Sequence, residues 1–536
     1  MTAVLEYHQN TKHSFHRFAR SLGYLDWTAQ PDPFRRYDGA PLISLPQAAL
    51  RPDIPYSSLF TGAAEPAPMD VPAVGEFLRC AMGLSAWKQY QASRWALRVN
   101  PSSGNLHPTE CYIVWGDRIC HYAPREHALE VRARLDESGG APADVLLVGL
   151  TSILWREAWK YGERAFRYCQ HDVGHAIGAL GFSAARLGWQ LSLIDASDDE
   201  LGALLGTGRD EDYPDAEREE PECLLLVTRA SGTTVPDVPA LVAGARRLTW
   251  SGRANVLSRS HVEWTAIDEV ARATRRGVVD RGTSVAVSRG TRAHIALETD
   301  GSIPARQIIL QRRSALGFDA ASSLPAARFH EMLRRVTPGS PPWDAIDWPP
   351  QVHLALFVHR VEGLLPGLYA YLRDPAALDE LRTAMRPDFL WERTNVSNVS
   401  NDSNVSNDPN DSNDLFLLVP ADVRFTANRL SCDQDIASDG FFSLGMIARL
   451  EPTLRERGDW FYRRLFWECG LIGQVLYLEA EAAGGRATGI GCFYDDPVHD
   501  VLGLSGMTWQ SLYHFSMGVP VDDGRLTSEP GYGGHW

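Results

Sequence analysis

Two stretches of this chain, 296 residues apart, superpose without a gap, and no other feature restricts its fold as strongly. The segment from Tyr161 to Leu187 reads as a long helix stopped by Gly188, and the segment from Trp460 to Ala483 reads as a second one stopped by Gly484 and Gly485. Arg167 falls on Arg463, Gly174 on Gly470, Leu180 on Leu476, Ala184 on Ala480, Gly188 on Gly484 and Ile194 on Ile490. After a slip of one residue Asp198 and Asp199 fall on Asp495 and Asp496, and Gly206 on Gly503. What precedes each helix has the same order. Helix VGEFLRCAMGL, strand pair CYIVWGDRICHYAP and buried strand VLLVGLTSILW in the first half match helix AARFHEMLRRV, strand pair HLALFVHRVEGLLPGLYAYLRD and buried strand LFLLVPADV in the second. The expectation is an α+β chain of two homologous domains, each a mainly antiparallel sheet flanked by helices, fused as a covalent pseudo-dimer. Residues 1–65 are expected as an extended arm, 66–245 as the first domain and 246–536 as the second.

Composition narrows the function classes. With 52 Lys and Arg against 67 Asp and Glu the net charge is −15, which disfavours non-specific nucleic-acid binding or an anionic membrane surface. No run of ~18 apolar residues predicts a spanning helix. The N-terminal stretch lacks an apolar signal core, so a cytoplasmic protein is expected. Eight cysteines, at 80, 111, 120, 169, 223, 432, 469 and 492, show no C-x-x-C spacing, which suits reduced thiols better than a zinc knuckle. The tract NVSNVSNDSNVSNDPNDSND, residues 395–414, reads as a disordered insertion in a surface loop.

Two segments suit anion and ring recognition. RVNPSSGNLHPTECY, from Arg98 to Tyr112, is forced onto a tight path by Pro101, Gly104 and Pro108. Ser102, Ser103, Asn105 and His107 place donors and acceptors along it, as a planar polar ring or a phosphate edge requires. QRRSALGF, from Gln311 to Phe318, follows an expected strand, ARQIIL, and is expected to enter a helix. There Arg312, Arg313 and Ser314 would meet a phosphate with charge-assisted hydrogen bonds of roughly 1.5–3 kcal/mol each, helped by the helix N-terminus. HDVGH puts His171 and His175 four apart on one helix face. The acidic residue is Asp172 rather than Glu, and the matching helix carries Trp467 and Leu471, so these histidines read as packing residues and no metal is expected.

In this order the motifs resemble the nitroreductase superfamily of flavoproteins, and most closely its SagB-type branch of thiazole- and oxazole-forming dehydrogenases. The arm LDWTAQPDPFRRYDGAP, the segment REHALE and the helix WKYGERAFRYCQHDVGHAIGAL carry the closer likeness. The resemblance implies one FMN. Arg312, Arg313 and Ser314 would hold its phosphate, while Pro101, Ser102, Ser103, Gly104, Asn105 and His107 of the other half would reach its ring. Gly489 and Gly491 of TGIGCFYDD would let backbone approach the ring, and Arg525 would add to the phosphate grip. The first half has IPYSSLF where an Arg-Arg-Ser would stand, and the second has PWDAIDWPPQ in place of the Pro-Ser-Ser-Gly loop, so the mirror-related site is expected to be degenerate. The same likeness assigns Lys160 and Tyr161 to catalysis. Azoline oxidation removes a hydride and a proton, and Lys160 beside Arg164 and Arg167 would serve as base with Tyr161 relaying.

The function so implied is FMN-dependent dehydrogenation of azoline-type rings in a modified peptide, with a cyclodehydratase as the expected partner and a further homodimer as an option. The alternatives are an NAD(P)H-dependent nitro or quinone reductase and, from a different class, a flavin-free scaffold or peptide-binding partner of a modification complex.

Overall fold

The computed structural model describes residues 2–47, 53–62, 64–135, 140–142, 144–229, 236–279, 303–394 and 414–533. The Asn/Ser-rich insertion lies outside the described residues, apart from Asp414. Two compact units form. One comprises Arg20–Arg312, Gly339–Asp347 and Arg525–Trp536, and the other Met1–Ala19, Arg313–Pro338 and Trp348–Gly524.

The first unit is built on a seven-stranded sheet of β1 (Leu42–Ser44), β2 (Thr109–Trp115), β3 (Arg118–Ala123), β4 (Ala128–Arg134), β5 (Val145–Ser152), β6 (Gln190–Ile194) and β7 (Glu220–Thr228). Its order is β1-β4-β3-β2-β5-β7-β6, antiparallel throughout. The second unit carries β8 (Val352–Val358), β9 (Gly367–Tyr371), β10 (Glu392–Arg393), β11 (Leu415–Pro420), β12 (Phe442–Arg449), β13 (Arg486–Ile490) and β14 (Trp509–Gly518). Its order, β10-β11-β9-β8-β12-β14-β13, repeats the first from its second strand onward and is also antiparallel. Every residue of β5 is buried, which explains why it reads as a near-continuous apolar run, and every residue of β14 is buried too, although Gln510, Ser511, His514 and Ser516 interrupt it.

The two long helices are Ala165–Arg186 and Phe461–Ala482, each of 22 residues and offset by 296, and all positions of both are buried. The offset persists into β6 and β13 and becomes 297 at the helices Asp198–Leu205 and Asp495–Leu502, as the one-residue slip predicts. Gly188 and Gly484 follow the long helices with φ of 70° and 75°, a left-handed conformation in which a Cβ is strained.

Four expectations are corrected. LFLLVPADV, β11, corresponds to β4 and not to the buried strand β5. The counterpart of β5 is β12, FSLGMIAR, whose apolar run is broken by polar and glycine residues and gave no clear strand signal. ARQIIL is not a strand. Ala305–Gln311 is a helix that buries Ala305, Ile308, Ile309 and Leu310, a pattern that a run this short does not distinguish from a strand. The boundary at 245 does not divide the units, because Arg253–Ala254 pairs with Tyr37–Asp38, and Trp264 and Ile267 pack on Ala158 and Ala165. The arm does not run as one piece. Residues 2–19 belong to the second unit, where Ala3–Asn10 is a helix too short to show a period and His8 bonds Tyr462 Oη at 3.1 Å and Gln510 Oε1 at 3.2 Å. Among the described residues no helix is long and apolar enough to cross a membrane.

Candidate active site

The loop between strand Ser93–Arg98 and β2 makes the turn that its prolines and glycine dictate. Gly104, Asn105 and His107 all have left-handed φ, at 60°, 60° and 52°. Two of the three are not glycine, so the path is held by tertiary bonds and not by preference. Asn105 Nδ2 donates to Ala96 O at 2.9 Å, the His107 amide donates to Ser102 Oγ at 2.7 Å, and Arg156 Nη1 donates to His107 O at 2.7 Å. Burial, and then the cations Arg98, Arg156 and Arg312, hold the His107 imidazole well below its usual range. The ring is therefore neutral. With Nε2 donating to Asn105 Oδ1 at 2.9 Å, its buried Nδ1 is a lone-pair acceptor with no protein partner, and so is Asn100 Oδ1.

Arg312 belongs to the same unit as this loop. Its Nε donates to Val99 O at 3.1 Å and its Nη2 to Arg98 O at 3.0 Å, so one planar guanidinium spans the backbone just ahead of Pro101. Arg312 caps the C-terminus of helix Ala305–Gln311, and the chain leaves it extended. The expected helix N-terminus behind the Arg-Arg-Ser segment is thus absent. The nearest helix end carries partial negative charge.

Lys160 and Tyr161 end the helix Leu154–Tyr161 and meet the loop at Gly104. A Cβ built on Gly104 would lie 2.7 Å from Tyr161 Oη and 3.1 Å from Lys160 Nζ. The ammonium stands 5.2 Å from the centroid of the Tyr161 ring, and that ring is 4.4 Å from the ring of Tyr168.

Sequence reasoning missed what lies behind this pair. Lys160 was expected in a cationic neighbourhood, yet it interacts electrostatically with the carboxyl of Glu157, which is buried with Asp172. The Ser103 amide donates to Asp172 Oδ1 at 3.1 Å, and Ser103 Oγ to the same oxygen at 3.2 Å. Burial pushes Asp172 up to about 7 against the pull of those bonds. Burial first, and the Asp172 charge second, drive Glu157 well above the usual carboxylate range. Burial thus favours the protonated form of both groups. Asp172 was visible in HDVGH, but Glu157 is fifteen residues earlier on another helix, and no spacing announces their meeting.

In the second unit Ser314 and Gly489 meet at Tyr477. Ser314 forms a parallel bridge with Ala487, Ser314 Oγ lies 2.8 Å from Tyr477 Oη, and the Gly489 amide donates to that same Tyr477 oxygen at 3.0 Å. The Arg313 amide donates to Glu481 Oε1 at 2.9 Å.

No family model matches the sequence, and no curated protein matches it. Among solved structures, that of an Anabaena variabilis protein assigned as a nitroreductase aligns over 97% of this chain and 100% of its own, with a TM-score of 0.68 at 19% identity. Both halves and their strand orders fall within that alignment. The chain has the nitroreductase fold, twice over. A nitroreductase of Ralstonia eutropha covers 38% of this chain and 95% of its own at 16% identity and a TM-score of 0.27. The Escherichia coli microcin synthetase complex McbBCD covers 42% and 91% at 15% and 0.25. Neither adds to the fold assignment.

Within this nitroreductase fold two nominated residues have other local reasons to be what they are. A Cβ on Gly489 would fall 1.9 Å from Tyr513 Oη, so that glycine makes room for a tyrosine of β14. Arg525 is exposed in the turn before the strand Thr527–Pro530, with its guanidinium 5.6 Å from the Tyr90 ring centroid. His171 and His175 lie buried in the long helix.

Proposed function

We propose that the chain is an FMN-dependent oxidoreductase that dehydrogenates azoline-type rings in a modified peptide. The observation that carries this reading is the convergence on Gly104, where the Tyr161 hydroxyl and the Lys160 ammonium occupy the space a side chain would fill. The neutral His107 and the two orphaned acceptors beside it, His107 Nδ1 and Asn100 Oδ1, suit a planar group with its own N–H donors. Arg312, Arg313 and Ser314 would hold the phosphate, Pro101 to Asn105 and His107 the ring edge, Gly489 and Gly491 the ring face, and Arg525 an outer contact. When bound, FMN supplies the acceptor for the hydride.

The chain's own residues then handle the proton. Lys160 Nζ, as the free amine, would take it from the ring carbon, with Tyr161 Oη orienting or relaying the proton, and the Glu157–Asp172 pair lies behind Lys160. A cyclodehydratase that makes the azoline is the partner this chemistry needs.

The test is the purified full chain. A flavin spectrum, release of about one FMN per chain on heating, and oxidation of a thiazoline peptide that is lost in Lys160→Ala and Tyr161→Phe with FMN retained are expected. Rapid bleaching by NAD(P)H without azoline turnover would replace this reading with a nitro or quinone reductase. A colourless protein that takes up no FMN would replace it with a scaffold.

A further inference from the structure

One side-chain cluster in the second unit has no part in the proposed chemistry. His13, Cys432 and Cys492 each offer a ligand atom, and all three atoms lie within 4.8 Å of one another, the one such cluster among the described residues. Cys492 Sγ is 2.9 Å from Cys432 Sγ and 3.9 Å from His13 Nδ1. A tetrahedral zinc ion with bonds of ~2.3 Å to sulfur and ~2.0 Å to nitrogen sets its sulfurs about 3.8 Å apart and sulfur and nitrogen about 3.6 Å apart. His13 Nδ1 lies a few tenths of an ångström beyond that distance from Cys492 Sγ. The two sulfurs reach their spacing by parting less than about 1 Å, a side-chain rotation that deprotonation and charge repulsion between thiolates favour.

The backbone around the cluster is held as a ligand frame needs. The His13 amide donates to Asp495 Oδ2 at 2.8 Å and the Asp495 amide returns a bond to His13 O at 3.0 Å, which fixes the histidine to the segment that carries Cys492. Gln434 Nε2 donates to both Cys492 O, at 3.1 Å, and Ser431 O, at 2.7 Å, and so ties the two cysteine segments together. Cys432 and Asp433 both adopt left-handed φ, at 56° and 57°, an unfavourable pair for non-glycine residues that turns the Cys432 side chain toward Cys492. The six other cysteines are buried, whereas these two are partly exposed and open to an incoming ion. The Phe18 ring lies 4.9 Å from the His13 ring, and the Phe15 ring 4.9 Å from the ring of Tyr494, two residues after Cys492.

We propose that His13, Cys432 and Cys492 bind one thiophilic divalent cation, zinc by the softness of the set, which clamps the N-terminal segment to the chain just after β13. Two thiolates neutralise the ion, imidazole suits it, and the fourth position is left to water. The ligands are 419 and 60 residues apart, so no spacing motif signals them.

The test uses the full chain, reduced, stripped with a chelator and titrated with Co²⁺ as a spectroscopic stand-in. One equivalent is expected to produce a thiolate-to-cobalt charge-transfer band with the intense visible bands of a tetrahedral site, both erased by zinc. His13→Gln and Cys492→Ser are expected to weaken binding on the order of tenfold or more each. Zinc is also expected to protect Cys432 and Cys492 from iodoacetamide in the unsubstituted protein, a readout that does not depend on any variant folding. The proposal is overturned if cobalt stays octahedral and without the charge-transfer band, if zinc leaves both cysteines alkylated at the metal-free rate, or if the thiol-treated protein holds a Cys432–Cys492 disulfide instead.

Discussion

Asp172 and Glu468 stand at the same position of the two duplicated helices, and each accepts backbone N–H bonds from the loop that leads into the first central strand of its sheet. Asp172 takes the amide of Ser103 ahead of β2, and Glu468 takes those of Gln351 at 3.1 Å and Val352 at 3.2 Å at the start of β8. The neighbours differ. Asp172 is packed with a second carboxyl, Glu157, whereas Glu468 is paired with Arg373 Nη1 and bonded by Trp348 Nε1 at 3.1 Å. One copy sets a second carboxyl against this anchor and the other an ion pair.

The ion pair can be tested by removing its cation. Both side chains are fully buried, so Arg373→Met leaves Glu468 as an uncompensated charge and is expected to cost about 3–5 kcal/mol. Adding Glu468→Gln should recover much of the loss, because the amide still accepts the loop's N–H bonds. Thermal melts of the single and double variants decide it, and a double variant no more stable than Arg373→Met would show that packing, not charge, was lost.

The carboxyl pair sets a pH dependence of opposite sense to an ordinary salt-bridged acid. Burial raises Asp172 from 3.8 to about 7 and moves Glu157 in the same direction, so the folded state binds more protons than the unfolded one. The stability this provides is complete below the unfolded value and is lost as pH rises through about 7. Asp172→Asn keeps an acceptor for Ser103 and cannot ionise. Its melting temperature is expected to fall less than that of the parent between about pH 5 and pH 8, with a gain on the order of 1–3 kcal/mol at the upper end. Parallel curves for the two proteins would exclude the raised carboxyl.

Gly104→Ala is expected to act through two separable effects. The left-handed φ of 60° costs about 1–2 kcal/mol for any residue with a Cβ, and the new methyl meets Tyr161 Oη at 2.7 Å. Azoline turnover should drop on the order of tenfold as the Lys160–Tyr161 pair is pushed aside. In a Tyr161→Phe background the methyl should cost less than in the parent, and melting temperatures of the four proteins measure that coupling. Strict additivity would mean that the hydroxyl does not press on the glycine.

Arg312→Lys tests the guanidinium geometry and not the charge. Arg312 donates to two successive carbonyls, those of Arg98 and Val99, which a single ammonium on a flexible stem does not span in the same way. FMN affinity, read by fluorescence titration, is expected to weaken about tenfold or more, while Lys at the exposed position Arg525 should change it less. Equal losses at both positions would make the contribution one of charge alone.

The duplication was legible without coordinates because it is a local signal repeated. Helix length, stop glycines and the one-residue slip before Asp495 are properties of short windows, and they reappear at offsets of 296 and 297 in the folded units. The Pro-Ser-Ser-Gly loop was legible for the same reason, since prolines and a glycine at fixed positions leave a chain few paths. Short apolar runs were not. ARQIIL fits a strand or two turns of helix equally, and the fold, which buries Ala305, Ile308, Ile309 and Leu310, decided for the helix. The strand FSLGMIAR and the helix Ala3–Asn10 are made by partners far along the chain, which propensity does not contain. Sequence alone therefore determined that there are two copies of one α+β unit, and which loop is forced onto a tight path. Tertiary structure alone decided that Glu157 meets Asp172, that Arg373 meets Glu468, and that His13 meets two cysteines, because burial and charge act through space and are indifferent to how many residues lie between.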